Sequence, residues 1–287
     1  MRGGAALGGL LLAAAAWLRA GREAGRAVGA GGLSAAQAGE RVAAGDGRFP
    51  WPLLAKLYEG KEEGWDRIYR EHAGDPSALV WNNGGADADI RGLFAERFGD
   101  PASGGRRARV LEIGCGLGYD SLALSALGHD VTCAEISPAS VRIVPELQEK
   151  VPVVIWNIEK NPLEALGLEA RGAWDAVLMR SVFMHVAPDF KPRVLRRIRE
   201  LLRPKTGVFV AKEYDTERSK EFQEAYNRAA GSRGDMVIGP DFTISRAEME
   251  KLLGAAGFEP VTVRETWFHL YGGSQGPAGL LFMAEHG

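Results

Sequence analysis

Three glycines, Gly114, Gly116 and Gly118, separate an apolar run from a predicted helix, and this spacing is typical of a turn that binds a ligand. Glycine has no Cβ and tolerates positive φ, so the backbone can pass close to a ligand. The following helix also presents its free N–H groups there. Glu135 ends the next apolar run, where a carboxylate can accept both hydroxyls of a ribose. The pattern predicts a site for a nucleoside cofactor.

The acid at Glu112 favours S-adenosylmethionine over NAD as that cofactor. Dinucleotide turns follow G-x-G-x-x-G, whereas Tyr119 occupies the position of the third glycine here. A carboxylate just before the turn would repel a pyrophosphate, but it suits a ligand that carries an ammonium group. A tight turn without a ligand is the alternative, and the placement of Glu135 disfavours it.

The segment from Glu112 to Gly118 resembles motif I of the class I, Rossmann-like S-adenosylmethionine-dependent methyltransferases. Later segments follow that family in order, and the resemblance covers roughly residues 106 to 287. It implies a three-layer αβα fold with seven strands in the order 3-2-1-4-5-7-6, strand 7 being antiparallel. It also implies an enzyme that uses S-adenosylmethionine and releases S-adenosylhomocysteine. A helical cap is expected at the N-terminal side.

The resemblance assigns the cofactor contacts to residues at the ends of the predicted strands. Glu112 would orient the methionine amino group, and Glu135 would bind the ribose. Ile136 would pack on the adenine, whose edge would meet Asn157 or Ile158. The other predicted cofactor-binding residues are Gly114, Gly116, Gly118, Tyr119 and Arg180.

Three side chains after strands 4 and 5 are candidates for catalysis. His185 could act as a general base or serve as a packing residue. Arg180 lies in an apolar stretch and therefore seeks a carboxylate, either of a substrate or of Asp175 or Glu213. Glu213 could bind an amine, take a proton, or lie in a surface loop. Methyl transfer from a sulfonium is an in-line displacement, which needs mainly alignment and exclusion of water.

Aromatic side chains are candidates for binding the acceptor. Trp65 and Tyr69 are four residues apart and share a helical face, which predicts either a lid or simple packing. An aromatic pocket would suit a hydrophobic or soft nucleophile, such as a thiol or a metalloid. The candidate substrate-binding residues are Trp65, Tyr69, Trp81, Tyr214 and Tyr271, with Phe183 beside them.

Composition disfavours a nucleic-acid partner, since the net charge is −2 and 46% of residues are apolar. We therefore expect a small-molecule acceptor. The alternatives are methylation of tRNA or of a protein side chain, and a non-catalytic partner subunit. The chain has two cysteines, Cys115 and Cys133, which are too few for a metal cluster and do not indicate a disulfide framework. No metal is expected, and a reducing compartment fits.

The sequence divides into four segments. Residues 1–30 are apolar with several arginines, and residues 31–48 form a Gly/Ala-rich linker. A helical cap is predicted over 49–105 and the methyltransferase domain over 106–287. The first segment could be a transit peptide, a signal or a short anchor, but its apolar run is too short for a stable membrane span. It favours import into a mitochondrion or plastid over secretion, with the cytoplasm as the other expectation.

Overall fold

Strands alternate with helices from residue 109 onward and form one seven-stranded sheet in the order β3-β2-β1-β4-β5-β7-β6. The computed structural model describes residues 61–79, 82, 84–167, 169–220, 243–269 and 275–287. Strand β7 runs antiparallel to both of its neighbours, and the other paired strands are parallel. The predicted fold class and strand order are confirmed. The strands are β1 Arg109–Ile113, β2 Asp130–Glu135, β3 Val153–Ile155, β4 Ala176–Arg180, β5 Val208–Tyr214, β6 Phe258–His269 and β7 Gln275–His286.

Seven α-helices lie within the described residues, and one predicted helix is broken. The sequence pattern predicts a single helix over residues 138–149, but Val144 adopts an extended conformation with φ −107° and ψ 97°. The residue before a proline is disfavoured in the α region, so Pro145 separates two short helices. The helices are α1 Lys61–Glu71, α2 Ala88–Phe98, α3 Tyr119–Ala126, α4 Ser140–Ile143, α5 Pro145–Lys150, α6 Lys191–Leu201 and α7 Arg246–Ala255.

The central strands bury both of their faces, which creates two cores. Val177 and Phe209 point into one core, together with apolar residues of α6 and α7. Their neighbours Ala176 and Val208 point into the other, together with residues of α2, α3 and α5. Because side chains alternate along a strand, the sheet forms the middle of three layers.

The two helices assigned to the cap have different surroundings. Helix α2 packs in the same core as the sheet through Ile90, Leu93 and Phe94, and Asp87 caps its N-terminus. Helix α1 instead forms a small cluster with Leu117 of the glycine turn. Helix α1 is therefore the element that covers this turn, and α2 belongs to an outer layer of the sheet.

The two cysteines are paired, although the sequence did not indicate a disulfide framework. Cys115 and Cys133 form a disulfide bond. Cys133 lies opposite Glu112 in the pairing of β1 with β2, and the glycine turn brings Cys115 back toward β2. Their Cα atoms are 5.7 Å apart, which is within the usual range for a disulfide. Cys133 is also fully buried in the sheet core.

Several predictions concern residues outside the described ranges. They include the N-terminal segment and linker and the aromatic residues Trp81 and Tyr271. The sequence pattern also predicts a helix at 217–229, and most of that range lies outside the described residues. In the part of the chain that the structure describes, no helix is long and apolar enough to cross a membrane.

Candidate active site

The glycine turn after β1 and the acid at the end of β2 are in direct contact. The backbone N–H of Gly116 donates a hydrogen bond to Oε2 of Glu135 at 2.8 Å. The other carboxylate oxygen accepts from the N–H groups of Ile136 and Ser137 at 2.7 and 3.0 Å. Burial raises the pKa of Glu135, while these three amide donors oppose the shift. The acid is thus held at the carboxyl ends of two adjacent parallel strands, where ligands of open α/β sheets bind.

Side chains would not fit in the glycine turn. Gly116 has φ +56°, and a Cβ there would lie 3.0 Å from the hydroxyl of Tyr69. A Cβ on Gly114 would lie 2.5 Å from Cγ2 of Val182. The turn therefore needs glycine both for its conformation and for its close contacts with α1 and with the loop after β4.

Glu112 is a buried acid without a basic partner among the described residues. The Ser121 hydroxyl donates to its carboxylate at 2.5 Å. Burial and the neighbouring Asp120 raise the pKa of Glu112 to about 8, and Arg180 opposes this shift. A carboxylate in these surroundings is stabilised by a positive group. The site therefore fits a ligand that brings an ammonium group.

Arg180 pairs with Asp120, a carboxylate that was not predicted to be its partner. Its Nε lies 2.7 Å from Oδ2 of Asp120, a buried residue in the first turn of α3. The prediction that Asp175 or Glu213 would be its protein partner was wrong. Asp175 lies at the opposite end of β4, and the Glu213 carboxylate accepts hydrogen bonds from backbone amides. The ion pair joins the end of β4 to the helix that follows the glycine turn.

Glu213 supports the loop after β4. Its carboxylate accepts hydrogen bonds from the N–H groups of Val182, Phe183 and Met184, at 3.2, 2.9 and 3.3 Å. Burial raises the pKa of Glu213 to about 7, and the amide donors oppose that shift. The residue is fully buried and does not lie in a surface loop. These contacts favour a positioning role over proton transfer.

Two rings face each other between α1 and the loop after β4. The centroids of Trp65 and His185 are 5.3 Å apart in an edge-to-face arrangement. Burial, together with the positive charge of Lys61, lowers the pKa of His185 to about 3. The imidazole is therefore neutral at physiological pH. Phe183, expected nearby, is fully buried in the sheet core and cannot line an open pocket.

Helix α1 is bound to the loops after β2 and β3 by polar contacts. Asp66 accepts from the Ser137 hydroxyl at 3.0 Å and from the Ala139 N–H at 2.8 Å. Glu62 accepts from Nδ2 of Asn157 at 2.7 Å. Neither acid was predicted as a site residue. Asp66 lies on the helix predicted over 65–72, and Glu62 lies just before that range. Their contacts place α1 across the loops that were predicted to hold the nucleoside.

The remaining predicted site residues differ in exposure. Ile136 is half-buried beside Glu135, and Tyr119 packs partly buried against the α1 cluster. Ile158 is buried in the sheet core, which leaves Asn157 as the polar candidate for the adenine edge. Tyr214 ends β5, and burial raises the pKa of its hydroxyl.

Within the described ranges, no group of three or more His, Cys, Asp or Glu could hold a metal ion.

A sheet of this order, with a glycine turn and acids at its carboxyl edge, defines a Rossmann-like protein that binds a nucleoside cofactor. Residues 87–263 match the family model of the methyltransferase domain. The chain belongs to this family.

Curated relatives match only part of the chain. The ubiquinone biosynthesis O-methyltransferase of Xanthomonas campestris pv. campestris (strain B100) is 33% identical over 106 residues, which are 36% of this chain and 42% of the relative. The enzyme of the same name from Xanthomonas oryzae pv. oryzae (strain PXO99A) is 32% identical over the same length. The chain thus spans less than half of the length of these relatives.

Solved structures share the fold. A SAM-dependent methyltransferase from Anabaena variabilis superposes with a TM-score of 0.62 at 15% identity, covering 79% of this chain and 95% of that one. Another from Methanosarcina mazei gives a TM-score of 0.53 at 16% identity, covering 70% of this chain and 98% of that one. These similarities support the seven-stranded architecture.

Proposed function

We propose that this protein transfers a methyl group from S-adenosylmethionine to a small-molecule acceptor. The observation that carries the proposal is the hydrogen bond between Gly116 and Glu135, with the buried acid Glu112 at the start of the same turn. Glu135 would suit a ribose and Glu112 would suit an ammonium group. Both acids lie at the edge of the sheet where this family binds its cofactor.

The residues present fit the proposed cofactor. Glu112 would hold the ammonium group, the backbone of the glycine turn would lie along the methionine part, and Glu135 would accept the ribose hydroxyls. Asn157 would meet the adenine edge after exchanging its hydrogen bond with Glu62. When bound, S-adenosylmethionine would supply a methyl group that is already activated by the positive sulfur.

The acceptor would bind between α1, the loop after β4 and the end of β5. Trp65 and His185 form an apolar wall there, and Tyr214 ends the neighbouring strand. Such a wall would exclude water and align the nucleophile, which is the main requirement of this displacement. His185 would enter the reaction as a neutral imidazole that can orient an acceptor hydroxyl through a hydrogen bond. Its low pKa makes it a weak base, so we assign it this orienting role rather than that of the general base that the sequence offered. Arg180 and Glu213 would act through the elements that they hold.

The names of the curated relatives support a small acceptor. They are O-methyltransferases of ubiquinone biosynthesis, so those proteins methylate oxygen. An aromatic or apolar molecule that carries a hydroxyl group would match the wall formed by Trp65 and His185.

Methyl transfer can be tested without knowing the acceptor. The full chain is incubated with S-adenosylmethionine labelled in its methyl group and with a cell extract split by a membrane of small pore size. The proposal expects label in new compounds of the low-molecular-mass fraction, and less of this label with the Glu135→Ala variant when the cofactor is not saturating. Label in RNA or protein alone would overturn the small-molecule acceptor, and no transfer to either fraction would contradict turnover.

A further inference from the structure

Charged side chains converge behind the glycine turn. Asp120 on α3 pairs with Arg180 on β4 at 2.7 Å. Asp87, just before α2, pairs with Lys212 on β5 at 2.6 Å, and both of these residues are buried. Asp120 also accepts a hydrogen bond from the backbone N–H of Asp87 at 2.6 Å. Lys212 also lies 3.1 Å from the exposed Asp89, so each base in this cluster is already paired with an acid.

Glu112 is the acid left over among the described residues. It faces Asp120 and Ser121 of α3 and Arg180 of β4. The Ser121 hydroxyl donates to the carboxylate, while Arg180 is engaged by Asp120 through Nε. Among the described residues, four acids of this cluster therefore share two bases. A buried carboxylate without a basic partner is costly unless it takes up a proton.

The electrostatics of the cluster agree with this count. Burial is the main cause that raises the pKa of Glu112 to about 8, and the charge of Asp120 adds to the shift. Burial also raises the pKa of Asp120, while Arg180 opposes that shift. The ligand-free protein therefore retains a proton on this pair of acids at neutral pH. The Ser121 hydroxyl can accept a hydrogen bond from the protonated form and donate to the ionised form, so both states are accommodated.

We propose that binding of a ligand ammonium group displaces one proton from the Glu112–Asp120 pair into solvent, so that cofactor affinity increases with pH through the neutral range. The balance is simple: a protonated Glu112 and a ligand ammonium group give an ion pair and a released proton. This inference rests on the proposed function, because it takes S-adenosylmethionine or its product as the ligand.

Calorimetry in two buffers of different ionisation enthalpy counts the released protons directly. S-adenosylhomocysteine is titrated into the full chain at pH 7 in phosphate and in Tris. We expect release of about one proton per bound molecule, because an acid with a pKa of about 8 is mostly protonated at this pH. The matched ligand is 5′-methylthioadenosine, which lacks the amino acid part and should release none.

The Glu112→Gln variant keeps the size of the side chain and removes the titration. It should bind S-adenosylhomocysteine more weakly and release no proton. If this variant fails to fold, the pH dependence of wild-type binding tests the inference instead. The affinity for S-adenosylhomocysteine should fall about tenfold between pH 7 and pH 6. The affinity for 5′-methylthioadenosine should stay constant over the same range.

Two results would overturn the inference while leaving the cofactor assignment in place. They are wild-type binding of S-adenosylhomocysteine without proton release, and an unchanged proton count in Glu112→Gln. No binding of S-adenosylhomocysteine at all would instead remove the proposed function, and the inference with it.

Discussion

The backbone N–H of Gly116 donates a 2.8 Å hydrogen bond to Oε2 of Glu135, which joins the turn after β1 to the end of β2. The bond fixes the position of the acid and aligns the turn through which the cofactor would pass. The two residues can meet because β1 and β2 are parallel neighbours, so their carboxyl ends lie at the same edge of the sheet.

Replacing Gly116 with alanine should disturb the turn. The residue has φ +56°, and the added Cβ would meet the Tyr69 hydroxyl at 3.0 Å. We expect a loss of about 1–2 kcal/mol in the free energy of unfolding, because a side chain disfavours the left-handed region. Affinity for S-adenosylhomocysteine should also fall. Urea unfolding and calorimetry measure the two effects, with Gly74→Ala as the control, since a Cβ there has nothing within 4 Å. Equal behaviour of the two variants would contradict the close packing of the turn.

The Arg180–Asp120 pair should show strong coupling. Arg180→Met leaves the buried Asp120 without its base, so we expect a loss of about 3–5 kcal/mol in the free energy of unfolding. Adding Asp120→Asn should recover part of this loss. A double-mutant cycle by chemical denaturation measures the coupling.

The exposed pair Arg246–Glu250 on α7 is the matched control for that cycle, with N–O distance 2.9 Å. Its coupling should not exceed about 0.5 kcal/mol. If the buried pair couples no more strongly than the exposed one, Arg180 is free to bind a substrate acid, which is one of the alternatives that the sequence left open.

Glu213 should make stability depend on pH. Its pKa is about 7 in the folded protein and 4.5 without the shift, so the folded state holds more protons between these values. Stability from this group is therefore fully present below pH 4.5 and is lost as pH rises toward 7. In Glu213→Gln this decline should be smaller, as measured by denaturation at several pH values. Glu250→Gln changes an acid on the outer side of α7, whose side chain is 41% exposed, and should keep the wild-type slope. An unchanged slope in Glu213→Gln would refute the assignment.

Helix α1 should slow the exchange of the cofactor. Asp66→Ala removes the hydrogen bonds to Ser137 and Ala139 that bind α1 to the loop after β2. We expect faster dissociation of S-adenosylhomocysteine in stopped-flow measurements. Glu63→Ala changes an exposed acid on the same helix and should leave the rate unchanged. The same rate in both variants would show that α1 only packs on the domain.

Sequence patterns predicted the sheet because its signals are local and repeated. The apolar runs at Arg109–Ile113 and Asp130–Glu135 match the observed strands, and the glycine spacing places the turn between the first run and its helix. The family resemblance then supplied the strand order. Glu112 and Glu135 were found for the same reason, since their positions follow from the ends of these strands.

Contacts between distant segments could not be predicted in this way. The partner of Arg180 depends on how α3 packs beside the end of β4. The bond between Cys115 and Cys133 depends on the path of the glycine turn, which returns the chain toward β2. Glu213 resembled a loop residue because it stands at the end of its strand, yet the loop after β4 covers it completely. In each case the tertiary structure brings together residues whose local patterns are uninformative.

The central claim is tested most directly by calorimetry of S-adenosylhomocysteine with the full chain and with its Glu135→Ala variant, using NAD as the control ligand. The account predicts micromolar binding by the wild type, no binding of NAD, and a loss of about 1–3 kcal/mol of binding free energy in the variant, because the ribose hydroxyls lose a buried charged partner. Binding that is absent in the wild type, or equally strong in the variant, would contradict it.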